Sequence, residues 1–243
     1  MIQSSEGNLK IKTVNGLTSE IDVFKKRLSI LKEYFPQMRD TFDSRIINGD
    51  KQLPEGISYF PYLTWRQVAD SYEEAMIIMV DKLSQSRGGK FQVMFGSNFA
   101  SEYLWKEVTS VRDITSVFDN QIEYGVKIIP SQVDGRCVNI SANQMNSLEM
   151  KEQFCLDVFS VAIMLLSDPD ILASYNATGI MCSGNRFCSS GKGADVANID
   201  KVPAGYDKVP CFRVDESGDL VLDLILADKE SEYYSSATGF IIS

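Results

Sequence analysis

Nine consecutive residues, Val158 to Leu166, include one polar side chain, Ser160. A run of that length falls well short of the ~20 apolar residues that cross a bilayer. At helical spacing it is apolar on nearly all sides, the pattern of a helix enclosed at the centre of a core. The helix is expected to be capped at Asn146 or Ser147 and to end where Ser167-Asp168-Pro169 interrupts it. The chain has 243 residues, 44% of them hydrophobic, which is enough to enclose such a helix in one large domain or two small ones.

Other segments supply the surroundings. A helix is expected from about Thr18 to Phe35, stopped by Pro36. Its apolar residues Ile21, Phe24, Leu28, Leu31 and Phe35 form a narrow heptad seam, suited to one partner helix in the same chain or in another copy. Thr64-Trp65-Arg66-Gln67 has the capping-box pattern, and apolar residues then recur at helical spacing to Leu83. Further helices are expected from about Ser97 to Val108 and, briefly, over Ile114 to Ile122. Lys90 to Phe95 reads as a strand. Tyr124 to Ile129 and Arg136 to Ile140 read as a hairpin across Pro130 and Asp134-Gly135. Val209 to Val214 and Leu220 to Ala227 form a second pair around Glu216-Ser217-Gly218-Asp219. These elements describe an α+β (mixed α/β) chain, with several helices around a small, mainly antiparallel sheet and extended terminal arms. Residues 1–17 are expected as an N-terminal arm, 18–227 as a single globular domain and 228–243 as a C-terminal tail.

The chain has no histidine. That excludes Ser-His-Asp and Cys-His catalysis and every His-ligated zinc site. An enzyme built on this sequence has carboxylates, Lys, Tyr or Cys to work with. The five cysteines are odd in number and irregularly spaced, so no disulfide framework is expected. The N-terminal residues lack a basic stretch followed by an apolar run. A cytoplasmic location is expected, or a virion for a viral chain, with no membrane partner. Net charge is −9, which gives no support to a nucleic-acid partner.

Few motifs carry chemistry. The stretch from Ser183 to Lys208 lacks periodicity and holds four glycines. Gly184 to Gly193 fails the Walker pattern, because six residues separate Gly184 from Gly191 where four are required. Arg186, Gly191, Lys192 and Gly193 remain candidates for an anion nest on a mobile loop. Cys182-x₅-Cys188 is off the zinc spacing, and neither Cys211, Cys137 nor Cys155 repairs it. Asp168-Pro169-Asp170 has the form of a metal-binding D-x-D, but Asp-Pro also commonly ends a helix. Glu230-Ser231-Glu232 has an E-x-E form with Arg136 on an upstream strand. Only eleven residues follow Glu232, so no family resemblance is drawn from it. No cofactor is expected.

Charge is distributed unevenly. Residues 1–51 hold nine Lys or Arg against seven Asp or Glu, a net of +2, while residues 209–243 hold two against seven, a net of −5. Lys25-Lys26-Arg27 lies beside the seam. Opposite ends of opposite charge favour contact between copies. The expected function is therefore a non-enzymatic, self-associating structural or protein-interaction protein, such as a viral or phage particle subunit. Its partner is another copy or another protein. Candidate self-association residues are Ile21, Phe24, Leu28, Leu31 and Phe35 at one end, and Tyr233, Tyr234, Phe240, Ile241 and Ile242 at the other. The alternatives are a carboxylate- or metal-dependent enzyme acting on a phosphate-bearing substrate, and a regulator of one cellular protein.

Overall fold

The structure is a computed structural model that describes residues 20–42, 44–48, 57–95, 104–106, 126–133, 138–147, 153–173, 177–187 and 206–240. Among the described residues there are five α-helices, two short 3₁₀ turns and eleven strands. The helices are α1 (Glu20–Tyr34), α2 (Ser44–Asn48), α3 (Tyr72–Ser86), α4 (Ala142–Ser147) and α5 (Val158–Ser167). No helix among the described residues is long and apolar enough to cross a membrane.

The strands form two sheets, of four and seven strands, which overturns the expectation of helices around one small sheet. The first is antiparallel, in the order β1 (Ser58–Tyr62), β4 (Lys127–Gln132), β11 (Thr238–Phe240), β5 (Gln153–Cys155). The second has seven strands. Its spine is the hairpin of β8 (Lys208–Val214) and β9 (Leu220–Leu226). The outer edge of β9 takes β2 (Phe91–Val93) in parallel. Along its other edge β8 takes β6 (Gly179–Met181) and β7 (Asn185–Phe187), which in turn pair with β10 (Tyr234–Ser236) and β3 (Leu104–Lys106).

The C-terminal segment is not a tail. Residues 234–240 run from the edge of the large sheet into the interior of the small one, where β11 lies between β4 and β5. Ala237, between β10 and β11, is fully buried. Its N–H donates to the Met181 carbonyl at 3.0 Å, and its carbonyl accepts from the Leu156 N–H at 3.0 Å. The short apolar and hydroxyl residues read from sequence as an appendage are strands because each sheet offers them an unsatisfied backbone edge. The N-terminal arm, the piece over 114–122, Ile241 and Ile242 lie outside the described residues.

Capping residues explain where the expected helices divide. The helix expected from about Asn146 is in fact two helices with a strand between them. Ser141 caps α4: its Oγ accepts from the Gln144 N–H at 3.2 Å, and the Gln144 Oε1 accepts from the Ser141 N–H at 2.7 Å. Asp157 caps α5. Likewise, the Thr64 box forms, with the Thr64 N–H donating to Gln67 Oε1 at 2.8 Å, but it opens only a 3₁₀ turn over Trp65–Gln67. Ser71, in extended conformation, then caps α3. A polar side chain that accepts a backbone N–H at a new first turn stops one helix and starts the next. Leu104–Lys106, expected within a helix, is a strand because its backbone pairs with β7. Among the described residues β4 pairs with β1 and β11 and not with the hairpin partner expected at Arg136 to Ile140, of which residues 134–137 lie outside the described ones. The β8–β9 hairpin forms as the sequence suggests. Asp215 Oδ1 accepts from the Ser217 and Asp219 N–H groups at 2.9 Å each, and Gly218 takes the φ of +81° that the turn requires.

All ten residues of α5 are buried. The helix packs against α1, α3 and β1. Leu31 on α1 and Phe35 just after it join this main cluster, while Phe24 and Leu28 pack with Ile47, Tyr59, Val126 and Ile128. The heptad seam thus faces this chain's own core, and only Ile21 at its start is partly exposed. Replacing Asp157 with Ala is expected to destabilise the protein by about 3 kcal/mol, because a buried cap is lost and Ser160 is left with unmet donors. Asp157→Asn retains an acceptor and is expected to cost about 1 kcal/mol. Equilibrium urea denaturation of the two variants beside the parent measures both.

Candidate functional site

Three groupings of polar side chains stand out: one sealed in the interior, one between α1 and the end of α5, and one in an open groove.

The interior group surrounds the first turn of α5. Asp157 Oδ1 accepts from the Ser160 N–H at 2.7 Å and the Ser160 hydroxyl at 2.6 Å. The Ser160 hydroxyl also lies 3.3 Å from Tyr62 Oη, and Asn185 Oδ1 accepts from the Val158 N–H at 2.6 Å. Burial first, then the negative charge of Asp157, raises the Tyr62 and Tyr72 hydroxyls well above the usual tyrosine range. Asp157, Ser160 and Asn185 are wholly inaccessible, so the cluster anchors the helix and has no route to a substrate. Arg186 belongs with it. The sequence placed this residue on an anion-binding loop. The structure places it on β7, 2% exposed, donating to the carbonyls of Ser183 and Asn185 at 3.2 and 3.1 Å, to that of Ala142 at 3.4 Å and to Asn143 Oδ1 at 3.2 Å. Gly191, Lys192 and Gly193 lie outside the described residues.

Cys182 and Cys211 are also fully buried, and burial pushes both thiols above their ordinary range, which keeps them protonated and unreactive. Cys155 is buried on β5. Cys137, Cys188 and Arg136 lie outside the described residues, and no cluster of three or more metal-ligating side chains occurs among the described ones.

The second grouping contains the D-x-D candidate. Asp168 Oδ2 accepts from Arg27 Nε and Nη2 at 2.9 and 2.7 Å. The same guanidinium donates to the Tyr59 carbonyl at 2.8 Å and lies over the Phe60 ring at 3.9 Å. One carboxylate of the pair is therefore engaged in holding α1 to the end of α5. Asp170 is exposed beside a hollow of about 230 Å³ that Lys26 also lines.

The third grouping is a groove of about 530 Å³ on the large sheet, lined by Ala177, Thr178, Gly179, Arg213, Val214, Glu232, Tyr233 and Tyr234. Strand pairing builds it. Tyr234 lies opposite Gly179, whose missing side chain leaves room for the phenol ring. A Cβ at Gly179 would fall 2.6 Å from two atoms of that ring. Arg213 forms the adjoining wall, held by Asp223 Oδ2 at 3.0 Å from Nη2 and 3.3 Å from Nε. Burial pushes the Tyr234 hydroxyl up to about 12, helped by the neighbouring Cys211 and opposed by the Arg213 charge. Tyr233 projects from the rim at 71% exposure, and Glu232 is exposed beside it. Glu230, two residues earlier, accepts from Gln144 Nε2 at 2.6 Å. Phe240 is partly buried on β11, away from the rim.

The groove brings together two of the expected contact residues, Tyr233 and Tyr234, with Glu232 from the E-x-E pattern. Arg213 and Gly179 were not expected. Arg213 could have been inferred from the hairpin, since a turn at 216–219 sets Arg213 diagonally across from Asp223. Gly179 has no comparable signal, because its role depends on which strand lies alongside. Compared with protein-family models, curated proteins and solved structures, the chain matches none of them.

Three tyrosines held protonated predict an alkaline weakness. A phenol whose folded pKa is raised contributes stability that is intact below its unfolded value, near 10, and is lost as pH climbs toward the folded value. Urea midpoints are expected to hold up to about pH 10 and to fall from there toward 12. Tyr234→Phe is expected to flatten part of that fall.

Proposed function

We propose that this protein is a non-enzymatic, self-associating protein whose contact surface is the Tyr233–Tyr234 groove. The observation that supports the reading most is the exposure of Tyr233 at the mouth of that groove, on a chain segment whose following residues are tightly held in both sheets. Tyrosine offers large contact area with little side-chain entropy to lose, and aromatic residues are enriched at interface centres. An exposed ring on a rigid support suits recognition better than one on a loose tail, because less ordering is needed when the partner arrives. Glu232, exposed in the groove lining, adds charge that can steer a basic partner.

Some of the residues weighed from sequence for metal binding or catalysis are occupied within the fold instead. Asp168 is tied to Arg27 and Glu230 to Gln144, while Cys182 and Cys211 are sealed. Contact between unlike surfaces of identical copies builds rings or growing chains. A subunit of a viral or phage particle is the concrete form of the proposal.

Light scattering coupled to size exclusion tests it. The mass of the full chain is expected to rise with loading concentration, and Tyr233→Ala is expected to shift that rise to roughly tenfold higher concentration while leaving circular dichroism unchanged. A monomer over the whole accessible range would reject the proposal.

A further inference from the structure

The groove is suited to a cation. Tyr233 and Tyr234 line it with two aromatic rings, and Glu232 adds an exposed carboxylate. Aromatic faces attract ammonium groups, and a carboxylate beside them adds a direct ion pair. Arg213, the one cation lining the groove among the described residues, is already neutralised by Asp223.

Complementary groups occur elsewhere on the same chain. On α1, Phe24, Leu28 and Leu31 turn inward, which leaves Lys25 and Lys26 exposed on the opposite face. Lys32 is paired with Asp40 at 2.6 Å and Arg27 with Asp168, but among the described residues Lys25 and Lys26 form no ion pair. The helix packs on α2, β1 and α5, none of which contributes to the groove. The basic pair and the acidic, aromatic groove are thus separate surfaces of opposite charge.

We propose that Lys25 and Lys26 of one copy dock into the Glu232–Tyr233–Tyr234 groove of the next. This deepens the self-association reading and rests on it. The contact is heterologous: every copy presents a used and an unused half, so association propagates until it closes. Both halves are exposed and charged, so added salt weakens the contact.

Complementation between damaged halves tests the arrangement. Lys25→Ala with Lys26→Ala removes the plug, and Glu232→Gln with Tyr233→Ala removes the socket. Every change is at an exposed position, and circular dichroism and urea midpoints confirm that each double variant folds. Each double variant alone is expected to self-associate at least about tenfold more weakly than the parent, as follows from losing an ion pair and a cation–π contact. Mixed together, they retain one intact plug and one intact socket, so light scattering is expected to show a 1:1 dimer that grows no further. Charge reversal gives a second measure: Glu232→Lys combined with Lys25→Glu and Lys26→Glu is expected to recover association that either change alone loses. If the parent associates and the plug variant associates equally well, the docking proposal fails while self-association stands. If the parent does not associate at any concentration, both fail.

Discussion

The first turn of an α-helix exposes backbone N–H groups that have no partner within the helix. At the protein surface water satisfies them. The first turn of α5 is sealed from water, so protein groups must do so. Asp157 and Asn185 meet that demand with side-chain oxygens on the Ser160 and Val158 N–H groups. A carboxylate at this end of the helix also opposes the positive end of the helix dipole. Much of the remaining architecture follows from this need. Asn185 must come from β7, and the turn between β6 and β7 must therefore approach α5. The Gly184 N–H donates to the Leu156 carbonyl at 3.0 Å in that approach.

The same region joins the sheets. Leu156 also donates its N–H to Ala237, and Ser183 and Ser236 share a buried hydroxyl contact of 2.7 Å. Residues 181–185, 154–158 and 235–239 thus form one junction in which the two sheets and the central helix fix each other. Hydrogen bonds inside this dry region gain strength from the low local dielectric, and a missing partner there is correspondingly costly. This explains how so apolar a helix can sit among several polar side chains: each has a defined task at the end or edge of an element.

The groove depends on that junction although none of its polar lining residues belongs to it. Tyr233 and Tyr234 precede the anchored stretch directly, so their backbone is held by strand pairing to β6. Gly179 opens space for one ring, and the β8–β9 hairpin carries Arg213 to the other side. A surface expected within a C-terminal tail is instead anchored at its base by strand pairing and exposed at its rim. The heptad seam on α1 shows the reverse case. Its apolar residues are spent inside the chain, and its contribution to a contact surface comes from the charged face behind them.

Local chemistry by itself determined a good deal. The apolar run at Val158 requires a buried helix. Pro36 follows directly on the end of α1, Ser71 opens α3, and the Asp215-to-Asp219 turn commits its flanks to a hairpin, because each of these depends on neighbours within a few residues. The lack of histidine narrows the available chemistry whatever the fold. What only tertiary structure decided are pairings between distant segments: residues 234–240 becoming strands in two sheets, Leu104–Lys106 becoming an edge strand, Arg186 turning inward to carbonyls, and Gly179 seating Tyr234. Short strands have little intrinsic preference of their own, and what they become depends on which unsatisfied edge lies within reach. That edge is created by residues far away in the chain, so it exists only once the fold has brought the segments together.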